Sequence, residues 1–225
     1  TGGPENVRIG ANRNGSIVAP NVVSGNTRDG IRVEGAATNA IYIASNTVGL
    51  SGDRLSAVGN GENGIHVLDD AADTEVIGNQ IGGNGVDGVK AEAGALRTRI
   101  VGNTVGADGN GDPAGNTFSG IAVIGAAETV VGDADGGGNI TVSNGTMGVY
   151  VQDATDTVVQ FNAIGLLGDE VTPRGNGEDG VLVIFGGGTV IGGVDAGNVI
   201  SANTLRCIRL IGDDGKEVLG TTIGT

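Results

Sequence analysis

The sequence predicts an all-β solenoid: one domain over residues 1–225, built from about seven to eight short coils of parallel strands. Three observations predict it. A motif Gly-[Ile/Val]-x-[Val/Ala] recurs along the whole chain, two asparagines return at fixed places relative to it, and apolar residues alternate at strand period with no helical period.

The motif begins at Gly30, Gly64, Gly88, Gly120, Gly148 and Gly180, and Cys207-Ile208-Arg209-Leu210 repeats it with Cys for Gly. Successive starts lie 34, 24, 32, 28, 32 and 27 residues apart, but alternate starts from Gly30 lie 58, 60 and 59 apart. The true repeat is therefore two coils long. Alternating apolar pairs such as Ile31 with Val33, Val149 with Val151 and Val181 with Val183 mark the strands. No unit can bury its apolar face alone, so successive units stack about 4.8 Å apart with each column above itself.

The first asparagine column lies four residues before each motif: Asn26, Asn60, Asn84, Asn116, Asn144, Asn176 and Asn203. The second is Asn21, Asn46, Asn79, Asn103, Asn139, Asn162 and Asn198. Stacked amides at a turn hydrogen-bond to the coils above and below, as in cross-β ladders, which explains both columns without any functional role. A third column, Ile41, Thr74, Thr98, Thr129, Thr157 and Thr189, is expected to face inward.

Coil length varies at two corners. In the units starting at Gly30, Gly88 and Gly148 the gap between the two asparagines widens to 14, 13 and 14 positions, against 5 elsewhere. Other units lengthen an earlier corner, at residues 10–20, 132–138 and 192–197, and the Gly64 unit lengthens neither. Two rows of Gly/Asp-rich loops with a notch at the Gly64 unit follow, and loops on a rigid scaffold are where binding function concentrates.

Composition narrows the function. With 12 Lys+Arg against 26 Asp+Glu the formal charge is −14, which disfavours nucleic acid and anionic membrane surfaces as partners. No apolar run approaches the ~20 residues of a membrane span. A single Cys and a single His argue against a disulfide framework and a conventional zinc site.

The runs Gly30-Ile-Arg-Val-Glu-Gly-Ala-Ala with Asn46-Thr-Val-Gly, Gly102-Asn-Thr-Val-Gly-Ala-Asp-Gly-Asn-Gly-Asp and Ile191-Gly-Gly-Val-Asp-Ala-Gly-Asn-Val-Ile-Ser-Ala-Asn resemble right-handed parallel β-helix repeats of the pectin-lyase-like superfamily. The likeness is greatest to repeat arrays of large secreted or surface-attached bacterial proteins, and it covers nearly the whole chain. It implies the fold. It leaves activity open, because this fold carries lyases, hydrolases, epimerases and inert stalks.

In such enzymes the polysaccharide cleft commonly lies along an outer strand face. Here that face offers the column Arg32, His66, Lys90, Ala122, Tyr150, Leu182 and Arg209, beside Glu34, Leu68, Glu92, Ile124, Gln152, Ile184 and Ile211. Arg32, His66 and Lys90 are candidates to bind a carboxylate, with Asp69 and Asp70 as cation ligands or acid and base and Tyr150 as a further ligand-binding residue. The alternative is charge alternation on a solvated face, Arg32 with Glu34 and Lys90 with Glu92, and it is the preferred reading because such pairing is the ordinary cross-strand arrangement. Hydrolase and alginate-epimerase signatures are missing: only Asp69-Asp70 matches the polygalacturonase set, and Asp112-Pro113 is followed by Ala114. With 2 Tyr, 3 Phe and no Trp, platforms for sugar stacking are few.

Two stretches suggest Ca²⁺. Gly82–Lys90 fits one nonapeptide of an RTX β-roll, but it occurs once and its Asp87 column varies, so it is set aside. Asp108, Asn110 and Asp112 alternate oxygen ligands as in a Ca²⁺ loop, helped by Asp53 or Asp169 on neighbouring loops, although Pro113 and Ser119 exclude an EF-hand. The competing reading is an acidic turn.

The sequence thus points first to a noncatalytic extracellular or bacterial cell-surface solenoid, a segment of a longer repeat protein acting as rigid spacer, adhesive or assembly unit. Its expected partners are neighbouring repeat coils or another protein chain, met at open coil ends or through the apolar second half of the outer face (Ala122, Ile124, Tyr150, Leu182, Ile184, Phe185). The alternatives are a polysaccharide-active enzyme, a uronate lyase using Lys90 or Arg32, and a calcium-stabilised glycan-binding module.

Overall fold

The computed structural model describes residues 3–11, 20–212 and 215–224. Among them every regular element is a short β-strand, and the strands form three parallel sheets of seven, eight and eight strands. Sheet 1 runs Ile31–Glu34, Ile65–Leu68, Val89–Glu92, Ile121–Ile124, Val149–Gln152, Val181–Ile184 and Ile208–Ile211. Sheet 2 runs from Arg8–Gly10 to Glu217–Leu219 and sheet 3 from Val22–Val23 to Thr222–Ile223. Each coil contributes one strand to each sheet in turn. Seven complete coils, numbered here from the strand Ile31–Glu34, follow a partial one.

The registers are those the motif spacing predicts. Ile31, Ile65, Val89, Ile121, Val149, Val181 and Ile208 are aligned, as are Val33, Val67, Ala91, Val123, Val151, Val183 and Leu210. These columns and their counterparts in sheets 2 and 3, such as Ile43, Val76, Ile100 and Ile164, form one continuous core. Both asparagine columns are unbroken ladders. Each Nδ2 donates to the Oδ1 of the next coil's asparagine, at 2.8–3.0 Å from Asn26 to Asn203 and at 2.9–3.0 Å from Asn21 to Asn198. The threonine column faces inward as expected, and the hydroxyls of Thr74, Thr98, Thr129, Thr157 and Thr189 are buried without a hydrogen-bond partner. The corner before sheet 2 takes a left-handed residue in coils 1 to 5, Ala40, Asp73, Arg97, Glu128 and Asp156, with φ of 52–53°.

Why the repeat is two coils long is visible at the long corners. Residues 50–57, 107–113 and 166–173 are hairpins, each closed by the same bond: Val58 N–H to Gly49 O, Ala114 N–H to Gly106 O and Arg174 N–H to Gly165 O, all 2.9 Å. Two arms side by side need about twice the coil spacing. Each hairpin supplies it by leaning over the short corner of the preceding coil, where Gly25, Gly83 and Ser143 donate N–H groups to Val58, Ala114 and Arg174 carbonyls at 2.8–2.9 Å. Consecutive coils cannot both carry one. The second row has the same device at Asp133–Gly137, whose Gly137 carbonyl accepts the Gly102 N–H at 3.2 Å. Most of the expected corner at 10–20 lies outside the described residues. The notch is present as a depression of about 240 Å³ lined by Ser45, Arg54, Gly78, Gln80, Gly102 and Thr104.

Candidate functional site

The outer face of sheet 1 brings Arg32, His66 and Lys90 side by side on coils 1 to 3. Their charges are already paired. Arg32 Nε lies 2.5 Å from Glu34 Oε2 and Nη1 3.2 Å from Asp29 Oδ2, while Lys90 Nζ lies 2.7 Å from Glu92 Oε2. His66, 5% exposed, sits between two carboxylates, with Nδ1 3.1 Å from Asp29 Oδ2 and Nε2 2.7 Å from Glu92 Oε1. Neither ring nitrogen is turned to solvent as a free base. The pairs Arg32–Glu34 and Lys90–Glu92 are those expected of a charge-alternating face.

Sequence reasoning set the Asp87 column aside as a varying one and missed the ladder it forms beneath this face. Asp29, Asn63, Asp87 and Ser119 occupy one column at the corner entering sheet 1, all buried except for the partly buried backbone of Asp29. The column is a third ladder that runs opposite to the asparagine ladders. The N–H groups of Asn63, Asp87 and Ser119 donate to the side-chain oxygens of Asp29, Asn63 and Asp87 at 3.1, 3.2 and 2.8 Å. Burial pushes the Asp29 carboxyl up, but hydrogen bonds from Asn63 and His66 and the His66 charge outweigh it, leaving Asp29 below the ordinary aspartate range. Glu92 behaves alike: burial raises it, and Lys90 and His66 bring it below the ordinary glutamate range. Asp87 goes the other way, because its burial outweighs the Ser119 N–H and Lys90. One sequence signal marks the column: Asp29-Gly-Ile-Arg-Val-Glu and Asp87-Gly-Val-Lys-Ala-Glu are the same pattern two coils apart.

The other candidates lie apart. Asp69 and Asp70 are exposed, with left-handed φ of 54° and 62°, in the turn leaving coil 2's sheet-1 strand, and among the described residues they make no ion pair with Arg32, His66 or Lys90. Tyr150 is two coils from Lys90 in the same column, separated by the buried Ala122, and its hydroxyl donates to Gln152 Oε1. The Asp108 carboxylate closes its own loop, accepting the N–H groups of Asn110 and Asp112 at 2.8 and 2.9 Å. Asp53 is likewise occupied by the Ser51 hydroxyl and the Leu55 N–H, at 2.5 and 3.0 Å, and Asp169 by the N–H groups of Val171 and Thr172 at 3.1 and 2.9 Å. Among the described residues no three His, Cys, Asp or Glu side chains group as a metal site. The apolar second half of the face is smaller than expected. Ala122 and Leu182 are buried, Ile124 and Ile184 half-buried, and Phe185 stands exposed.

No family model and no curated protein matches the chain. Solved structures do. The periplasmic alginate epimerase AlgG is 15% identical with a TM-score of 0.57, covering 88% of this chain and 44% of that one. The Azotobacter vinelandii mannuronan C-5 epimerase AlgE6 A-module is 19% identical with a TM-score of 0.62, covering 91% and 50%, and the AlgE4 A-module is 16% identical with a TM-score of 0.57, covering 91% and 55%. The chain spans about half the length of these structures. It shares with them the right-handed parallel β-helix fold.

Proposed function

We propose that this chain is a noncatalytic extracellular β-solenoid segment, a rigid spacer, adhesive or assembly unit, whose last coil stacks against further coils or another protein chain. The carrying observation is the outer face, where Arg32, His66 and Lys90 are already paired with carboxylates, and the last coil offers the stacking surface. Leu210, Val218 and Ile223 occupy inward core columns, yet they are 42%, 40% and 52% exposed, and their strands are the edge strands of all three sheets. Unpaired parallel edges around an uncovered apolar core form a surface for strand addition. On the outer face four carboxylates, Asp29, Glu34, Asp87 and Glu92, surround Arg32, His66 and Lys90, so this region neither offers a free base nor attracts an acidic polysaccharide.

The second reading is a polysaccharide-active enzyme, favoured by His66 wedged between Asp29 and Glu92 and by epimerases of the same fold. The test is incubation with pectate, alginate and a glycosaminoglycan in Ca²⁺. Unsaturated uronate absorbance reports elimination, and proton NMR of alginate reports C5 inversion. No turnover is expected. Turnover abolished by Lys90→Ala, Arg32→Ala or His66→Ala would establish the enzyme reading instead.

A further inference from the structure

We propose that a recess beside sheet 1, spanning coils 3 to 5, binds the ring of a cationic amino sugar. The site stands independently of the stacking role. It has a volume of about 230 Å³, smaller than the ~300–1,000 Å³ of drug-sized pockets, so it takes one ring-sized group. Its lining is almost wholly apolar, with Phe118, Met147, Ile124 and Val86, and Asp87, Ser119 and Tyr150 are among the residues around it.

Three features select the ligand. The chain has 2 Tyr and 3 Phe, and one of each lines this single recess. Phe118, 51% exposed, is the one aromatic in a column that otherwise holds Arg28, Glu62, Val86, Thr146, Glu178 and Leu205 among the described residues, and an exposed aromatic offers a face to the apolar side of a sugar ring or to a cation. Asp87 is buried, 6% exposed as a residue, and its carboxylate accepts the Ser119 N–H at 2.8 Å, which fixes its direction before a ligand arrives. Charge decides the rest. The nearest cation, Lys90, is paired with Glu92 at 2.7 Å, and Asp153 adds to the negative field at Tyr150, so an ammonium is attracted and a carboxylate or sulfate repelled. An aromatic platform beside an oriented carboxylate is the pairing that an aminopyranoside satisfies, through its ring face and its ammonium group.

Isothermal titration calorimetry at physiological salt tests this with a β-1,4-linked glucosamine trimer, its N-acetylated counterpart and trigalacturonate. Saturable binding of the glucosamine trimer is expected, with the other two weaker by about tenfold or more. Asp87→Asn, which retains the acceptor for the Ser119 N–H, and Phe118→Ala, at an exposed position, should each weaken it by a similar factor. Asp195→Asn, an equal charge change on an exposed turn, should leave it unchanged. The proposal is overturned by absence of saturable binding, by equal binding of the acetylated trimer or the uronate, or by indifference to both Asp87→Asn and Phe118→Ala, which would mark diffuse attraction to an acidic surface.

Discussion

The N–H of Gly83 donates to the carbonyl of Ala114 across 2.9 Å, so the return arm of coil 3's hairpin closes the short corner of coil 2. Removing residues 107–113 would draw Ala114 away from that N–H and leave the Arg54 carbonyl without the Gly109 N–H it accepts, and we expect a loss of about 1–3 kcal/mol in urea unfolding. Insertion of a few residues at the exposed tip, after Asn110, should cost less than about 1 kcal/mol, because loop entropy grows slowly with length.

The ladders set a second expectation. Asn116 Oδ1 accepts from the N–H and Nδ2 of Asn84, and its own Nδ2 donates to Asn144. Asn116→Ala should therefore cost about 1–3 kcal/mol, whereas Asn110→Ala, on an exposed turn, should cost less than about 0.5 kcal/mol. Equal melting shifts for the two would contradict the ladder.

Gly106 and Gly125 separate steric contact from backbone conformation. Both have positive φ, 100° and 58°, but a Cβ at Gly106 would overlap the Val142 carbonyl oxygen while one at Gly125 meets nothing within 4 Å. Gly125→Ala should cost about 1–2 kcal/mol from the left-handed conformation alone. Gly106→Ala should exceed about 3 kcal/mol, since strain and overlap add. Thermal melts of the two variants distinguish these costs.

Protonation should act with opposite signs at two acids. The Glu92 value is lowered on folding, so its contribution is present above the ordinary glutamate value of 4.5 and is lost as pH falls through the folded value. The Asp87 value is raised by burial, so its contribution is complete below 3.8 and is lost as pH rises through the folded value. Glu92→Gln should thus lower the melting temperature at neutral pH, and Asp87→Asn should raise it. Both differences should shrink when the melts are repeated in acid. The same sign for both at neutral pH would refute the assignment.

What the sequence revealed follows from which groups carry the structure. The asparagine columns were legible because each position must both donate and accept through its side chain, which keeps Asn84, Asn116 and Asn144 chemically identical. The third ladder was hidden because Asp29, Asn63 and Asp87 only need to accept a backbone N–H, a task Asp and Asn share. Coupling between each hairpin and the short corner beneath it runs through main-chain groups such as Gly83 and Ala114 and leaves no side-chain signature. Strand alternation placed Leu182 and His66 on the outer face correctly, but their burial depends on longer side chains one coil away, which alternation does not register. The acidic loop at Asp108 had ligand-like spacing because turn closure and cation binding draw on the same oxygens.

Stacking through the last coil is tested most directly by sedimentation equilibrium over a wide concentration range at high salt, where repulsion between chains of charge −14 is screened. We expect the weight-average mass to rise above 22.0 kDa with concentration, and Leu210→Asp or Val218→Asp to return it to 22.0 kDa. A constant 22.0 kDa at every concentration, unchanged by either substitution, would contradict the stacking surface.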